Sequence, residues 1–385
     1  MKIFHLSDLH IGKQFYHYSM VQEQRHILGQ VVALVEEEKP DAVILAGDIY
    51  DSAIPSAEAV SVFDAFLTAL CKVKARPTVL MIAGNHDSAK RLDFARSILA
   101  EHRVYIAGLP PMEKEEFIQR VTLEDAYGEV DFYLLPFVKP SYVRGLLDET
   151  ALTYNDAVRG VIAREEIDES RRNVLVSHQF YTASGSGPKT CDSEIRLTGG
   201  IENVDVGALE CFDYAALGHI HRPQKIGKEH YRYCGTLLPY SVSEAEDEKS
   251  VTVVELFGKG EPLKIRTLPL SPLRGVRRLT GTLAEVLQKG ECFGDDYVSI
   301  TLTDEVEAYE PKVRLEEKFN RILEIRIDNA RTRKLLDFTE EVREQTDPYE
   351  AFVRFFEEMN GRKMTEAEEK ILQETINREM EEGMQ

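Results

Sequence analysis

The chain has 385 residues, 43% hydrophobic and 30% charged, which supplies a sizeable core and excludes wholesale disorder, a collagen-like fibre and a small disulfide scaffold. Its net charge of −20 argues against a protein that coats nucleic acid with a basic surface, but not against a nucleic-acid enzyme whose site is made positive by bound metals. The length suits a main domain with one or two smaller units.

Met1-Lys2-Ile3-Phe4-His5 runs directly into a strand pattern, so we expect no signal peptide. Apolar runs such as Ala42-Val43-Ile44-Leu45-Ala46 are far too short to cross a bilayer. Cys71, Cys191, Cys211, Cys234 and Cys292 are scattered and never at C-x-x-C spacing, which reads as reduced thiols in a cytoplasmic protein.

One local pattern then repeats along the chain: a short apolar run followed at once by Asp, His, Asn or Gly. Lys2–Leu6 precedes Ser7-Asp8-Leu9-His10, Val43–Ala46 precedes Gly47-Asp48, and Thr78–Ile82 precedes Ala83-Gly84-Asn85-His86-Asp87. Val174–Val176 precedes Ser177-His178, and Tyr214–Leu217 precedes Gly218-His219-Ile220-His221. Such runs are buried strands. Between them, Ile27, Val31, Leu34 and Val35, and then Val60, Phe63, Leu67 and Leu70, carry helical periodicity. The alternation implies a layered α/β domain, in which ligands gather beyond the carboxyl ends of the strands. All five polar tails fall there.

This domain is expected to span 1–270, closing after Val251–Leu256, with Pro269 and Pro272 marking a linker. Residues 273–335 read as a small α+β unit. Its strands are expected at 277–282, 297–302 and 322–327, with helices at 283–287 and 314–321. Residues 341–385 read as a helix pair. Asp347 caps the first helix, and Phe352, Phe355, Phe356 and Met359 form its apolar stripe. Thr365 and Glu368 make a capping box for the second, which carries Ile371, Leu372 and Ile376.

The polar tails collect Asp8, His10, Asp48, Asn85, His86, His178, His219 and His221. Carboxylate, imidazole and amide oxygen suit borderline divalent ions such as Mn²⁺, Fe²⁺ or Zn²⁺, and the lack of thiolate disfavours a structural zinc site. D-x-H and H-x-H each put two ligands on one side of an extended segment, and the carboxylate of Asp48 has two oxygens with which to bridge two ions. Two ions about 3.5–4 Å apart can hold a hydroxide and clamp the oxygens of an in-line displacement at phosphorus. His86 could then protonate the leaving oxygen, with Asp87 orienting it. Any one element alone fits a hydrogen-bonded core histidine or a capped turn. Five in order, each at a strand end, do not.

D-x-H, G-D, G-N-H-D, a lone His and G-H-x-H in this order resemble the signature of the calcineurin-like metallophosphoesterases. Within that superfamily the chain is similar to the SbcD family, the nuclease subunits of bacterial SbcCD complexes. His5–Gly12, Ala46–Asp51, Tyr214–Gln224 and Tyr233–Leu238 extend the match. The resemblance implies a β-sandwich flanked by helices, a small α+β capping domain and a C-terminal helix pair. It implies two Mn²⁺, one on Asp8, His10 and His221, the other on Asn85, His178 and His219, with Asp48 bridging. It makes His86 the leaving-group donor and places Asp51 at a site-lining position that is His in some relatives.

It further implies 3′→5′ exonuclease action on double-stranded DNA ends, endonuclease action on single strands and hairpins, a homodimer, and docking of 341–385 on the coiled coil of an SMC-like ATPase, SbcC. The net charge of −7 over 341–385 agrees with a protein partner there rather than DNA. The Phe352 stripe equally fits packing within its own domain. Lys13, Arg25, Lys90, Arg91 and Lys189 lie near the motif loops, as phosphate contacts or ordinary solvated charges, and Ser184–Gly187 reads as a loop near the metals. The alternative is a standalone small-molecule phosphodiesterase or phosphatase of the same superfamily, which would leave the appended units unexplained.

Overall fold

The computed structural model describes residues 1–147, 152–183, 187–194, 202–305, 310–330 and 332, together with 352, 353, 356, 357, 362–365, 368, 369 and 372. Most of the helix pair expected at 341–385, including Phe355 and Met359 of its apolar stripe, and Ser184 to Ser186 of the expected loop lie outside the described residues.

The apolar runs form strands because both of their faces are covered. In chain order they are β1 (Lys2–Leu6), β2 (Ala42–Ala46), β3 (Thr78–Ile82), β4 (Val104–Ala107), β5 (Gln119–Asp125) and β6 (Gly128–Leu135). These are followed by β7 (Arg172–His178), β8 (Tyr214–Gly218), β9 (Gln224–Ile226), β10 (Lys228–Tyr233), β11 (Ser250–Glu255) and β12 (Lys264–Pro269). They build two six-stranded sheets, ordered β12-β11-β1-β2-β3-β4 and β9-β10-β8-β7-β6-β5. β1 through β4 run parallel, as do β6, β7, β8 and β10, while the remaining edge pairs are antiparallel.

Strand alternation sorts each run between two cores. Ile3, Ile44, Leu80 and Ile82 of the first sheet meet Phe132, Val174, Val176 and Ala216 of the second, so the sheets pack face to face. Phe4, Leu6, Val43, Leu45, Val79 and Met81 face outward onto α1 (Val21–Glu38) and α2 (Ala57–Lys72). Leu175, Ala215 and Leu217 face the opposite way, onto helices Pro140–Leu147 and Tyr154–Ala163. The result is a helix-clad β-sandwich. One detail of the helical reading changes: α2 buries Ala59, Val62, Phe63, Phe66 and Leu70, and Val60 is exposed.

Beyond the sandwich, β13 (Val276–Gly281), β14 (Tyr297–Leu302) and β15 (Arg321–Ile327) pair in that order, accompanied by helices Leu283–Phe293 and Pro311–Glu316. The expected helix at 314–321 is therefore shifted toward Pro311, which takes the first helical position. Two compact units emerge. One holds Met1–Arg278, Cys292–Ser299 and Phe319–Glu324, and the other holds Leu279–Glu291, Ile300–Lys318 and Ile325–Gln385. No helix among the described residues is long and apolar enough to cross a membrane.

Candidate metal centre

Every polar tail sits at the carboxyl end of its strand, and the tails of both sheets converge within the first unit. Past β1 and β2 the two chain segments stay paired: the N–H groups of Asp8, His10 and Ile11 donate to the carbonyls of Gly47, Asp48 and Ile49 at 2.9–3.0 Å. The backbone there is strained. Asp8, His10, Asp48 and His219 take φ of +53°, +44°, +49° and +94°, a region that non-glycine residues seldom occupy, although Asp and His enter it more readily than most. Gly47, at φ +90°, precedes one of them, and a Cβ on it would collide with the ring of His178. A Cβ on Gly218 would collide with the carbonyl of Ala46. Glycine is thus what lets the two sheets' loops approach this closely.

The side chains that converge are almost wholly buried: Asp8 0%, His10 1%, Asp48 2%, His178 0%, His219 9% and His221 3% exposed. The Nε2 atoms of His10 and His221 face each other at 3.2 Å. Asp48 Oδ2 lies 3.7 Å from His10 Nε2 and 3.3 Å from His178 Nε2, between the two halves of the cluster. Asn85 Oδ1 is 3.1 Å from His178 Nε2 and 3.0 Å from His219 Nδ1. Asp8 accepts the backbone N–H of His219 on both oxygens, at 3.0 and 3.1 Å. Asp8, His10 and His221 form one group able to hold a cation; Asp8, Asp48 and His178 form another.

Three rings are held from behind. His178 Nδ1 donates to the Ala46 carbonyl at 2.7 Å, His10 Nδ1 faces Asp51 Oδ1 at 3.2 Å, and His221 Nδ1 meets Ser193 Oγ at 2.8 Å. Placing the ring proton on Nδ1 leaves an Nε2 lone pair aimed into the cluster, the arrangement of a metal-ligating imidazole. Electrostatics agree. Burial opposes protonation of His178, yet the carboxylates of Asp48 and Asp8 raise its pKa to about 9, a sign that the site calls for positive charge. Burial, then the neighbouring His178, lowers His219 to about 3, which keeps its lone pair free. The donor set and its buried convergence fit divalent cations.

One role read from the sequence changes. Asp87 does not orient the ring of His86; its carboxylate accepts the backbone N–H groups of Ile49, Tyr50 and Gly84 at 3.1, 2.9 and 2.9 Å. It therefore ties the Gly47-Asp48 turn to the Gly84–Asp87 turn. The ring of His86 is instead placed by the Asp51 carbonyl, 3.0 Å from Nδ1. The Asp51 side chain takes Lys13 Nζ at 2.8 Å as well as facing His10. Burial works against its ionisation, but these two partners hold it down to about 2. Lys13 is thus committed inside the site, whereas Arg25, Lys90, Arg91 and Lys189 are exposed.

Several site residues carry no motif. Gln24 Nε2 on α1 donates to the His10 carbonyl at 2.8 Å and to Tyr240 Oη at 3.1 Å. Tyr240 in turn donates to the Leu9 carbonyl at 2.5 Å. Phe137 stacks on His219, and Phe180 meets the same ring edge-on. Glu194 accepts the backbone N–H of His221 at 2.6 Å, and burial raises its pKa to about 7.

The chain is similar to known proteins. Residues 1–223 match the calcineurin-like phosphoesterase family, and residues 272–360 match the SbcD_C family, described as Type 5 capsule protein repressor C-terminal domain. The SbcD component of the SbcCD nuclease of Staphylococcus epidermidis is 30% identical over 329 residues, covering 84% of each chain. The protein of that name from Staphylococcus saprophyticus is 29% identical over 396 positions and covers 100% of both. Among solved structures, a dimetal phosphatase from Danio rerio is 14% identical, covers 71% of this chain and 99% of its own, and has a TM-score of 0.43.

Proposed function

The chain belongs to the calcineurin-like phosphoesterases, and within them to the SbcD nucleases of SbcCD complexes, and we propose from this premise that it hydrolyses DNA phosphodiester bonds with two divalent ions. The observation that carries the reading is the position of Asp48 Oδ2, within 3.7 Å of His10 Nε2 and 3.3 Å of His178 Nε2, between two groups that can each take a cation. We assign Asp8, His10 and His221 to one ion, Asn85, His178 and His219 to the other, and Asp48 to both. Mn²⁺ suits this oxygen and imidazole set. When bound, such a pair supplies Lewis acidity at the phosphoryl group and a nucleophile drawn from water.

The chain's own residues do the rest. His86 delivers the proton: with Nδ1 on the Asp51 carbonyl, the mobile proton sits on Nε2 and passes to the departing oxygen. Asp51 holds His10 and Lys13 in place, and Asp87 keeps the two turns that carry Asp48 and His86 in register. Phe137 and Phe180 wall the His219 side against water.

The family resemblance supports finer assignments. The action is 3′→5′ on double-stranded ends and endonucleolytic on single strands and hairpins, in DNA end processing, repair, recombination and replication. Residues 1–270 carry the nuclease, 273–335 cap it, and 341–385 dock an SbcC-type ATPase, within a cytoplasmic complex built on a homodimer of this chain. The test is an assay of the purified chain with Mn²⁺ on end-labelled duplex DNA, beside His86→Ala and a small diester such as bis-p-nitrophenyl phosphate. DNA degradation lost in His86→Ala is expected. Cleavage of the small ester with no action on DNA, even with the ATPase partner present, would overturn the nuclease assignment in favour of a small-molecule phosphodiesterase.

A further inference from the structure

Behind His221 runs a buried polar chain that no sequence motif marks. His221 Nδ1 donates to Ser193 Oγ at 2.8 Å, and that hydroxyl donates to Glu244 Oε1 at 2.7 Å. Glu244 Oε2 takes Lys249 Nζ at 2.6 Å, and the side chains of Lys249 and Glu244 are 3% and 0% exposed. Lys249 reaches back to the His221 carbonyl at 3.2 Å and to Thr236 Oγ1 at 2.8 Å. Ser241 Oγ donates to Glu244 Oε1 at 2.8 Å, so every oxygen of the carboxylate is engaged. A carboxylate fully desolvated against a lysine is a poor general stabiliser compared with apolar packing. Its direction here is specific: it ends on the ring nitrogen opposite the one that faces His10.

We infer that Ser193, Glu244 and Lys249 form a positioning relay that fixes the tautomer and aim of His221 and so sets the affinity of one ion position, the one shared with Asp8 and His10, but not the other. On the other side of the cluster, His178 Nδ1 is held directly by the Ala46 carbonyl. The two positions are therefore supported by chemically different means, one by a strand carbonyl and one by side chains from a turn, a short 3-10 helix and the segment leading into β11. The inference rests on the two-ion reading above.

The experiment is Mn²⁺ uptake by the full chain, followed by calorimetric titration and by electron paramagnetic resonance of free Mn²⁺, with the thermal midpoint as a check on folding. Wild type is compared with Ser193→Ala, Ser193→Thr and Glu244→Gln. Ser193→Ala removes the link without leaving a buried charge unpaired, so it stays informative where Glu244→Gln fails to fold. The expected result is one ion weakened about 10–100-fold in Ser193→Ala with the other unchanged, and both ions retained in Ser193→Thr, which keeps the hydroxyl. Wild-type uptake by Ser193→Ala, equal weakening of both ions, or loss in Ser193→Thr as well would overturn the relay alone. A wild-type chain that takes up no pair of ions would overturn the two-ion reading itself, and the relay with it.

Discussion

The backbone N–H of His86 donates to Asp48 Oδ1 at 2.9 Å, while Asp48 Oδ2 faces His10 and His178. One carboxylate thus divides its oxygens between the candidate ion site and the loop that carries His86, the proposed proton donor. Asp48→Ala should lose both ions and also release the His86 loop. Metal analysis of the purified variant checks this, and two retained Mn²⁺ would contradict the bridging assignment.

His86→Ala is expected to behave differently. His10, Asp51 and His86 also lie close enough to form a cation-capable group, but His86 is assigned above to neither ion, so its removal should leave Mn²⁺ uptake unchanged. The turnover of DNA should fall by about 10²–10⁴-fold, the usual worth of a positioned general acid. Parallel titration and single-turnover assays distinguish this from a folding defect.

Gly47→Ala tests the approach of the two sheets. The left-handed φ of +90° costs an alanine about 1–2 kcal/mol, and its Cβ would strike His178 besides. The variant should be destabilised by more than the φ cost alone, and weakened in ion uptake, as read by denaturant unfolding with and without Mn²⁺. Gly29→Ala on α1 is the control, since a Cβ there meets nothing within 4 Å and should leave stability unchanged or slightly improved.

Acid sensitivity follows from the Lys249–Glu244 pair. Burial works against ionised Glu244, but Lys249 at 2.6 Å, then Ser193 and Ser241, hold its carboxyl below the usual 4.5. A depressed folded-state pKa contributes stability that is full above the unfolded value and lost as pH falls through the folded one. Lys249→Met should cost about 3–5 kcal/mol at neutral pH, because it leaves a buried carboxylate unpaired. That deficit should begin to shrink above pH 4.5, because a buried carboxylate without its lysine takes up its proton more readily than the unfolded chain does, and should go on shrinking as pH falls through the depressed wild-type value. Thermal midpoints of both proteins across the acid range test the sign.

The strand ends are legible in the sequence because a polar residue breaks an apolar run at one point, and the break repeats five times. The edge of the second sheet is not: β5 reads Gln119-Arg120-Val121-Thr122-Leu123-Glu124-Asp125, a half-exposed strand with only Val121 well buried. Ala59 escapes the helical pattern of α2 because a small side chain adds little to a hydrophobic stripe, and the larger Val60 draws the stripe one position out of phase. Glu244 and Lys249 lie in the run Glu244-Ala245-Glu246-Asp247-Glu248-Lys249, which has the composition of a solvated face. Only the tertiary approach of Ser193 and His221 makes two of those charges internal. Asp87 is elusive for a related reason, since sequence adjacency to His86 says nothing about where its carboxylate points.

The seven candidate ligands are divided between the two sheets: Asp8, His10, Asp48 and Asn85 follow strands of one, while His178, His219 and His221 end or follow strands of the other. Cations held there would act as rivets through the open rim of the sandwich. At a hundredfold excess over its dissociation constant, each adds about 2.7 kcal/mol to the folded state. Chelation should then loosen that rim first, with amide exchange rising at Leu6, Ala46 and Leu217 before it rises at the opposite ends of the same strands. The side chains that would cut the phosphodiester thus also keep the jaws of the fold from breathing apart.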